Sequence, residues 1–213
     1  MFNKSEIEQQ VAEFLLQIKA IKLQPDNPFT WASGWKSPIY CDNRITLSHP
    51  TIRTYIRQQL TVLIQEEFGA VGCIAGVATA GIPQGVLIAQ ELGLPFIYVR
   101  SKPKDHGTGN LIEGEILSGK RVVVIEDLVS TGKSSLQAVE ALRNAGYEVA
   151  GLVAIFTYGF DLATDNFKQA KCKCFTLSNY NALLKYAEQR QYITADEAVI
   201  LKQWRMSPST WGQ

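Results

Sequence analysis

No apolar run in this 213-residue sequence approaches the length needed to cross a bilayer. Nor does one sign of charge dominate. The 21 Lys and Arg offset 20 Asp and Glu to leave +1, which supports neither a nucleic-acid surface nor an acidic tail. The opening Met-Phe-Asn-Lys-Ser-Glu-Ile-Glu is polar and acidic, unlike a signal peptide. Cysteine is sparse. Cys41, Cys73, Cys172 and Cys174 lack the spacing of a zinc site, and Cys172 and Cys174 alternate with Lys171 and Lys173 as on one face of a strand. They read as structural thiols in a reducing compartment, so a cytoplasmic location is expected. Internal repeats and linkers are missing too. Trp31, Trp35, Trp204 and Trp211 are scattered, which suits core or interface packing better than a nucleic-acid stacking platform. What remains, at 46% hydrophobic and 19% charged residues, is a globular chain whose partners are small molecules, with no nucleic acid and no membrane expected.

The most informative segment is 122–134, Val-Val-Val-Ile-Glu-Asp-Leu-Val-Ser-Thr-Gly-Lys-Ser. Residues 122–125 are β-branched and apolar throughout, which suits a strand buried on both faces of a parallel sheet. Beyond Lys133, Leu136, Val139 and Leu142, with Ala138, Ala141 and Ala145, mark a helix face that Gly146 ends. Glu126 and Asp127 therefore stand at the carboxyl end of a strand, where open α/β sheets bind ligands. The turn at 129–133 offers backbone N–H groups at a helix N-terminus, and Ser130, Thr131 and Ser134 add hydroxyls, so the segment reads as a phosphate cradle. Two carboxylates beside it would repel a nucleoside triphosphate unless a metal intervened. They suit a sugar phosphate, whose hydroxyls donate to carboxylates while the phosphate takes the amides. Gly132-Lys133-Ser134 has the ending of a P-loop, but that pattern requires glycine at 127, where Asp127 would face the phosphates.

Ser5-x-x-Glu8 reads as a capping box for a helix with Ile7, Val11, Phe14, Leu15 and Ile18 on one face. A loop-rich stretch is expected at 24–50, then a helix carrying Ile52, Ile56, Leu60, Leu63 and Ile64 and ending near Gly69. Strands are expected at 71–77, 94–99, 121–126, 148–156 and 173–177, with a helix at 81–92. Two helices close the chain, near 180–190 and after the capping box Thr194-x-x-Glu197, the second burying Val199, Ile200 and Trp204. Alternating strand and helix from 52 to 177 implies a parallel sheet with helices on both faces.

Three further segments stand out. Residues 100–110, Arg-Ser-Lys-Pro-Lys-Asp-His-Gly-Thr-Gly-Asn, put three cations and a histidine directly after a strand end. A solvated surface loop and a ligand-covering loop both fit, and Gly107 with Gly109 would let such a loop move. Ala78-Thr79-Ala80-Gly81 links strand to helix through small residues, either as an ordinary tight turn or as a backbone approaching an anion closely. Residues 36–44 contain Tyr40, Asp42, Asn43 and Arg44. Tyr40 suits a buried aromatic as well as a stacking platform.

The 122–134 segment resembles the phosphoribosyl-pyrophosphate (PRPP) signature of the type I phosphoribosyltransferases: four hydrophobic residues, two acids, then a small Thr/Ser-Gly turn. Phe29-Thr30-Trp31-Ala32-Ser33-Gly34-Trp35-Lys36-Ser37-Pro38-Ile39-Tyr40, Lys102-Pro103-Lys104-Asp105-His106-Gly107 and Val77-Ala78-Thr79-Ala80-Gly81-Ile82-Pro83 narrow the likeness to the orotate phosphoribosyltransferases, over about residues 5–205. The resemblance implies an α/β fold of the type I phosphoribosyltransferase class: a mostly parallel twisted sheet flanked by helices, with a small N-terminal hood. It implies one domain over 1–213, with the hood formed mainly by about 1–45 with C-terminal contributions and the core at about 50–178. The implied activity is transfer of the phosphoribosyl group from PRPP to N1 of orotate, giving orotidine 5′-phosphate and diphosphate in pyrimidine synthesis. A purine-base phosphoribosyltransferase and a non-catalytic PRPP-sensing regulator are the alternatives, each lacking support at 29–44 or in any appended basic element.

Carried over residue by residue, Lys104, His106 and Asp127 become the catalytic positions. PRPP falls to Arg100, Lys102, Lys104, His106, Glu126, Asp127, Leu128, Val129, Ser130, Thr131, Gly132, Lys133 and Ser134. Orotate falls to Ser130, Arg44 and Tyr40. The resemblance further implies Mg²⁺ bound through PRPP and water, with no direct protein ligand, and a homodimer whose 100–110 loop reaches a neighbour's site. The chain departs from relatives at three positions. Ala80 stands where some relatives have a lysine that reaches the diphosphate, Ala32 replaces another lysine, and Tyr158 stands where some relatives place an arginine that contacts the orotate carboxylate. Arg44 is the candidate substitute for that arginine.

Overall fold

The computed structural model describes residues 4–31, 33–102 and 111–212. The chain opens with α1 (Lys4–Gln17), whose Ile7, Val11 and Leu15 are buried at helical spacing. Ser5 lies inside this helix rather than acting as the cap expected of it. The segment expected to be loop-rich contains paired strands. β1 (Ile21–Leu23) and β4 (Ile39–Cys41) run antiparallel, as do β2 (Phe29–Thr30) and β3 (Lys36–Ser37). These strands of two or three residues left too short a pattern for alternation to register. A 3₁₀ helix (Asn43–Ser48) then leads into α2 (Pro50–Phe68), which buries Ile52, Ile56, Leu60, Leu63 and Ile64 and is ended by Gly69.

The core alternates as the pattern requires: β5 (Cys73–Val77), α3 (Gly81–Leu92), β6 (Phe96–Val99), β7 (Ile112–Glu113), β8 (Arg121–Val129), α4 (Lys133–Asn144), β9 (Glu148–Thr157), α5 (Asp161–Gln169) and β10 (Cys174–Asn179). The sheet order is β10-β9-β8-β5-β6-β7, parallel except for the antiparallel pair β6–β7. Helix α5 was not anticipated, and β8 continues to Val129 rather than stopping at 126, because 128 and 129 still pair with 156 and 157 of β9. The last strand begins at Cys174, so buried Cys172 precedes it rather than sharing its face.

Side chains along β8 alternate between two cores. Val123 and Ile125 join one with α2 and α3; Val122 and Val124 join the other with Ala138, Val139 and Leu142 of α4 and Phe167 of α5. The sheet is thereby covered on both faces. The last helices are α6 (Tyr180–Gln189) and α7 (Ala195–Met206). Helix α7 has the expected capping box, Thr194 and Glu197 bonding each other's backbone N–H. Its buried face is Ala198, Leu201 and Trp204, at i, i+3, i+6, and Val199 is exposed, contrary to expectation. Helix α1 packs on β10 and α6. None of the described helices is long and apolar enough to cross a membrane.

Candidate active site

From β5 the chain moves outward through α3 to β6, then returns on the other side to β8. The topological switch point therefore lies between β5 and β8, and the crevice at the carboxyl ends of these strands is where such sheets take ligands. Gly81 opens α3 there. A Cβ at 81 would overlap the carbonyl oxygen of Ile125 and approach Glu126 Cα at 3.4 Å, so only glycine lets the 78–81 turn press against the acids. The Ala78–Thr79 peptide is cis.

Glu126 is nearly fully buried, and Asp127 is partly so. Ser135 Oγ, one turn into α4, donates to Glu126 Oε2 at 3.2 Å, and the Asp127 N–H donates to Oε1 at 3.2 Å. Burial pushes the Glu126 carboxyl up to about 8, and the adjacent Asp127 charge adds to the shift. Burial also raises Asp127, opposed by its hydrogen bond with Glu126 and by the charge of Arg44. Both carboxyls are thus pushed upward by burial, Glu126, the more buried, with the Asp127 charge adding to its shift.

The turn after β8 is braced from outside. Gly132 has φ +79°, and a Cβ there would come within 2.8 Å of the Phe167 ring of α5. Thr157 Oγ1 and the Tyr158 N–H both donate to the Val129 carbonyl, at 3.0 and 3.2 Å. Asn166 Nδ2 of α5 donates to the Thr131 carbonyl at 2.9 Å. Lys133 and Ser134 are exposed, and Ser134 shares a cavity of about 290 Å³ with Ala78 and Arg100.

The 21–48 segment meets the same acids. Asn43, buried at the start of the 3₁₀ helix, donates from Nδ2 to the Asp127 carbonyl at 2.7 Å and accepts from Cys41 Sγ at 3.3 Å. Arg44 is exposed and holds Asp42 through two bonds, Nε–Oδ1 at 2.6 Å and Nη2–Oδ2 at 2.9 Å. Tyr40 is exposed as well, leaning on Phe29 with ring centroids 5.5 Å apart, so it is not the buried aromatic. That place is taken by Tyr158, which lies among Trp31, Phe156, Phe160, Tyr180 and Trp204. Three of the four tryptophans, Trp31, Trp35 and Trp204, gather in this one aromatic cluster. Trp204 Nε1 donates to the Lys36 carbonyl, and Arg205 donates to the carbonyls of Tyr158 and Gly159, which ties α7 to both the hairpin and the end of β9.

At the far side of the crevice, the Arg100 N–H donates to the Leu111 carbonyl at 2.8 Å, closing the base of the cationic loop. Arg100 also pairs with Glu113 at 3.4 Å, and Lys102 is exposed. Lys104 and His106 lie outside the described residues.

The phosphoribosyl transferase domain family matches residues 52–189. An orotate phosphoribosyltransferase of Phocaeicola vulgatus is 58% identical over 205 residues, covering 96% of this chain and 97% of that protein. The chain belongs to the orotate phosphoribosyltransferase family. Two solved structures agree. The orotate phosphoribosyltransferase of Aeropyrum pernix superposes with a TM-score of 0.75 at 26% identity, over 86% of this chain and 99% of that one. The UMP synthase of Leishmania donovani gives 0.77 at 28% identity over 93% of this chain, which spans 42% of that longer protein. The fold is that of the type I phosphoribosyltransferases.

Within the family's pattern, Ala80 caps α3 without a charge. Tyr158 lies in the aromatic cluster, packed against Trp31, Phe160 and Trp204. Sequence reasoning missed Ser135, Thr157, Asn166 and the bond made by Asn43. Serine at 135 carried a signal, since it is a hydroxyl one turn beyond an acid pair. The others act across 28 to 84 residues of chain, beyond any local pattern.

Proposed function

We propose that this protein is an orotate phosphoribosyltransferase, making orotidine 5′-phosphate and diphosphate from orotate and PRPP in cytoplasmic pyrimidine synthesis. The observation that carries the reading is the meeting of two surfaces at one carboxylate. The 129–134 turn follows Asp127 along the chain, while Asn43 and Arg44 approach it from the 36–44 segment, to which this reading assigns orotate. A purine enzyme would keep the first surface and change the second.

PRPP docks with its 5′-phosphate on the turn at 129–134 and its ribose hydroxyls on Glu126 and Asp127. The anomeric carbon loses diphosphate before N1 of orotate bonds fully, so positive charge develops on the ribosyl ring, inversion follows, and orotate releases its N1 proton as the new bond forms. Asp127 stabilises that charge, and no residue acts as a nucleophile. Arg100, Lys102, Lys104 and His106 offset charge on the leaving diphosphate, a load increased by Ala80 standing where some relatives have lysine. Both oxygens of Glu126 already accept hydrogen bonds, from the Asp127 N–H and Ser135, so the acid pair suits a cation delivered on substrate oxygens rather than one bound in a protein cage. Mg²⁺ arriving with PRPP supplies charge neutralisation at the diphosphate.

Orotate stacks beside Tyr40, with its carboxylate facing Arg44 and Ser130. Arg44 is free to turn, because its exposed pair with Asp42 contributes only about 0.2–1 kcal/mol. The active form is a homodimer in which the 100–110 loop serves the neighbour's site. Mixing Lys104→Ala with Asp127→Asn subunits should then restore activity, since one site in each heterodimer carries neither lesion. Activity that stays low after verified exchange excludes sharing through this loop.

The deciding experiment incubates purified protein with PRPP and Mg²⁺ plus orotate, uracil, hypoxanthine or adenine in turn. Orotidine 5′-phosphate from orotate alone is expected. A purine nucleotide would support the purine enzyme, and PRPP binding without any product would support a regulator.

A further inference from the structure

The carbonyls of the phosphate turn are pinned in alternation. Val129 is held by Thr157 Oγ1 and Tyr158 N–H, and Thr131 by Asn166 Nδ2, all on the β9–α5 side. In a trans peptide the carbonyl and the following N–H point in opposite directions. Fixing the Val129 and Thr131 carbonyls toward β9 and α5 therefore turns the N–H groups of Ser130 and Gly132 away from them. Those N–H groups precede the first turn of α4, whose own leading N–H groups have no intrahelical acceptor. An unpinned Thr131–Gly132 peptide could flip, since Gly132 tolerates either orientation, and would then present an oxygen to an anion.

We infer that Asn166 is a positioning residue for the 5′-phosphate, holding the Thr131–Gly132 peptide so that its N–H, not its oxygen, faces the ligand. The inference rests on the proposed function and deepens it: the turn's affinity for phosphate is set partly by a helix that never touches the ligand. Phe167, the next residue of α5, packs against Gly132 and fixes the distance between helix and turn. Asn166 itself is only half-buried, so truncating it leaves the core intact.

The test titrates wild type, Asn166→Ala and Asn166→Gln with ribose 5-phosphate and, separately, with diphosphate, and measures KM for PRPP and for orotate. Asn166→Ala should weaken ribose 5-phosphate about three- to tenfold, the range for one lost hydrogen bond, and raise KM for PRPP similarly. Diphosphate affinity, KM for orotate and kcat should stay within about twofold. Asn166→Gln keeps the donor and should recover part of the loss. Unchanged ribose 5-phosphate affinity in Asn166→Ala overturns the inference, and so does equal weakening of both ligands, the mark of a merely structural role. A wild type that binds ribose 5-phosphate yet makes no orotidine 5′-phosphate overturns the functional reading instead, and the affinities still decide the role of Asn166.

Discussion

The phosphate turn and the 21–48 segment flank the same carboxylates but are built by opposite means. Residues 121–144 form a continuous strand, turn and helix, whose turn lies between a nine-residue strand of the sheet and a twelve-residue helix packed on it. The 21–48 segment has strands of two or three residues that could not persist alone. Side chains from far along the chain hold it: Trp204 on the Lys36 carbonyl, Asn43 on the Asp127 carbonyl, and the ring cluster around Tyr158. The turn proposed to grip phosphate has all its donors in one contiguous segment, braced by residues 157–167 that follow it. The segment proposed to read the base is held by residues from as far away as 204.

The sharpest way to break this contrast is Trp204→Ala. Emptying a fully buried indole should cost about 3–5 kcal/mol in denaturant unfolding. Where folded protein survives, orotate affinity should fall while ribose 5-phosphate affinity holds; equal loss of both would show that the two surfaces are one unit. Next in size is Asp127→Asn, which keeps shape but removes the charge proposed to stand beside the ribosyl cation. Turnover should drop about 100-fold or more with the thermal midpoint nearly unchanged, and wild-type turnover would sink the assigned role.

Arg44→Ala should raise KM for orotate about tenfold with little change for PRPP, as expected for a lost charge-assisted bond. Equal effects on both substrates would return Arg44 to a structural role with Asp42. The smallest effect is a slope. Glu126 is raised from 4.5 to about 8, so across that window the folded protein retains a proton that the unfolded chain releases, and stability declines as pH rises. Glu126→Gln should flatten that decline in urea titrations, while a variant with the wild-type slope would assign the proton elsewhere.

Legibility in the sequence followed the same division. Residues 122–125, the α2 stripe from Ile52 to Ile64 and the Thr194 capping box were readable because each pattern closes within a few turns. The acids and the turn were found by motif for the same reason. Helix α5 was missed because Asp161–Gln169 is short and buries only Ala163 and Phe167, too few residues to show a period. Tyr40 and Tyr158 could not be sorted by sequence. Which tyrosine is buried depends on where Trp31 and Trp204 arrive, and these lie 173 positions apart.

Helix α7 has a consequence for the order in which the protein matures on the ribosome. Synthesis proceeds from the N-terminus, so the acids, the turn and all strands of the large sheet emerge before residues 195–206. Only then can Trp204 and Arg205 reach the Lys36, Tyr158 and Gly159 carbonyls. A released chain truncated at residue 194 would keep the 129–134 turn with its brace from Asn166 and leave the 21–48 segment without its fastening to α7. On the proposed roles, such a chain would bind sugar phosphates without selecting a base.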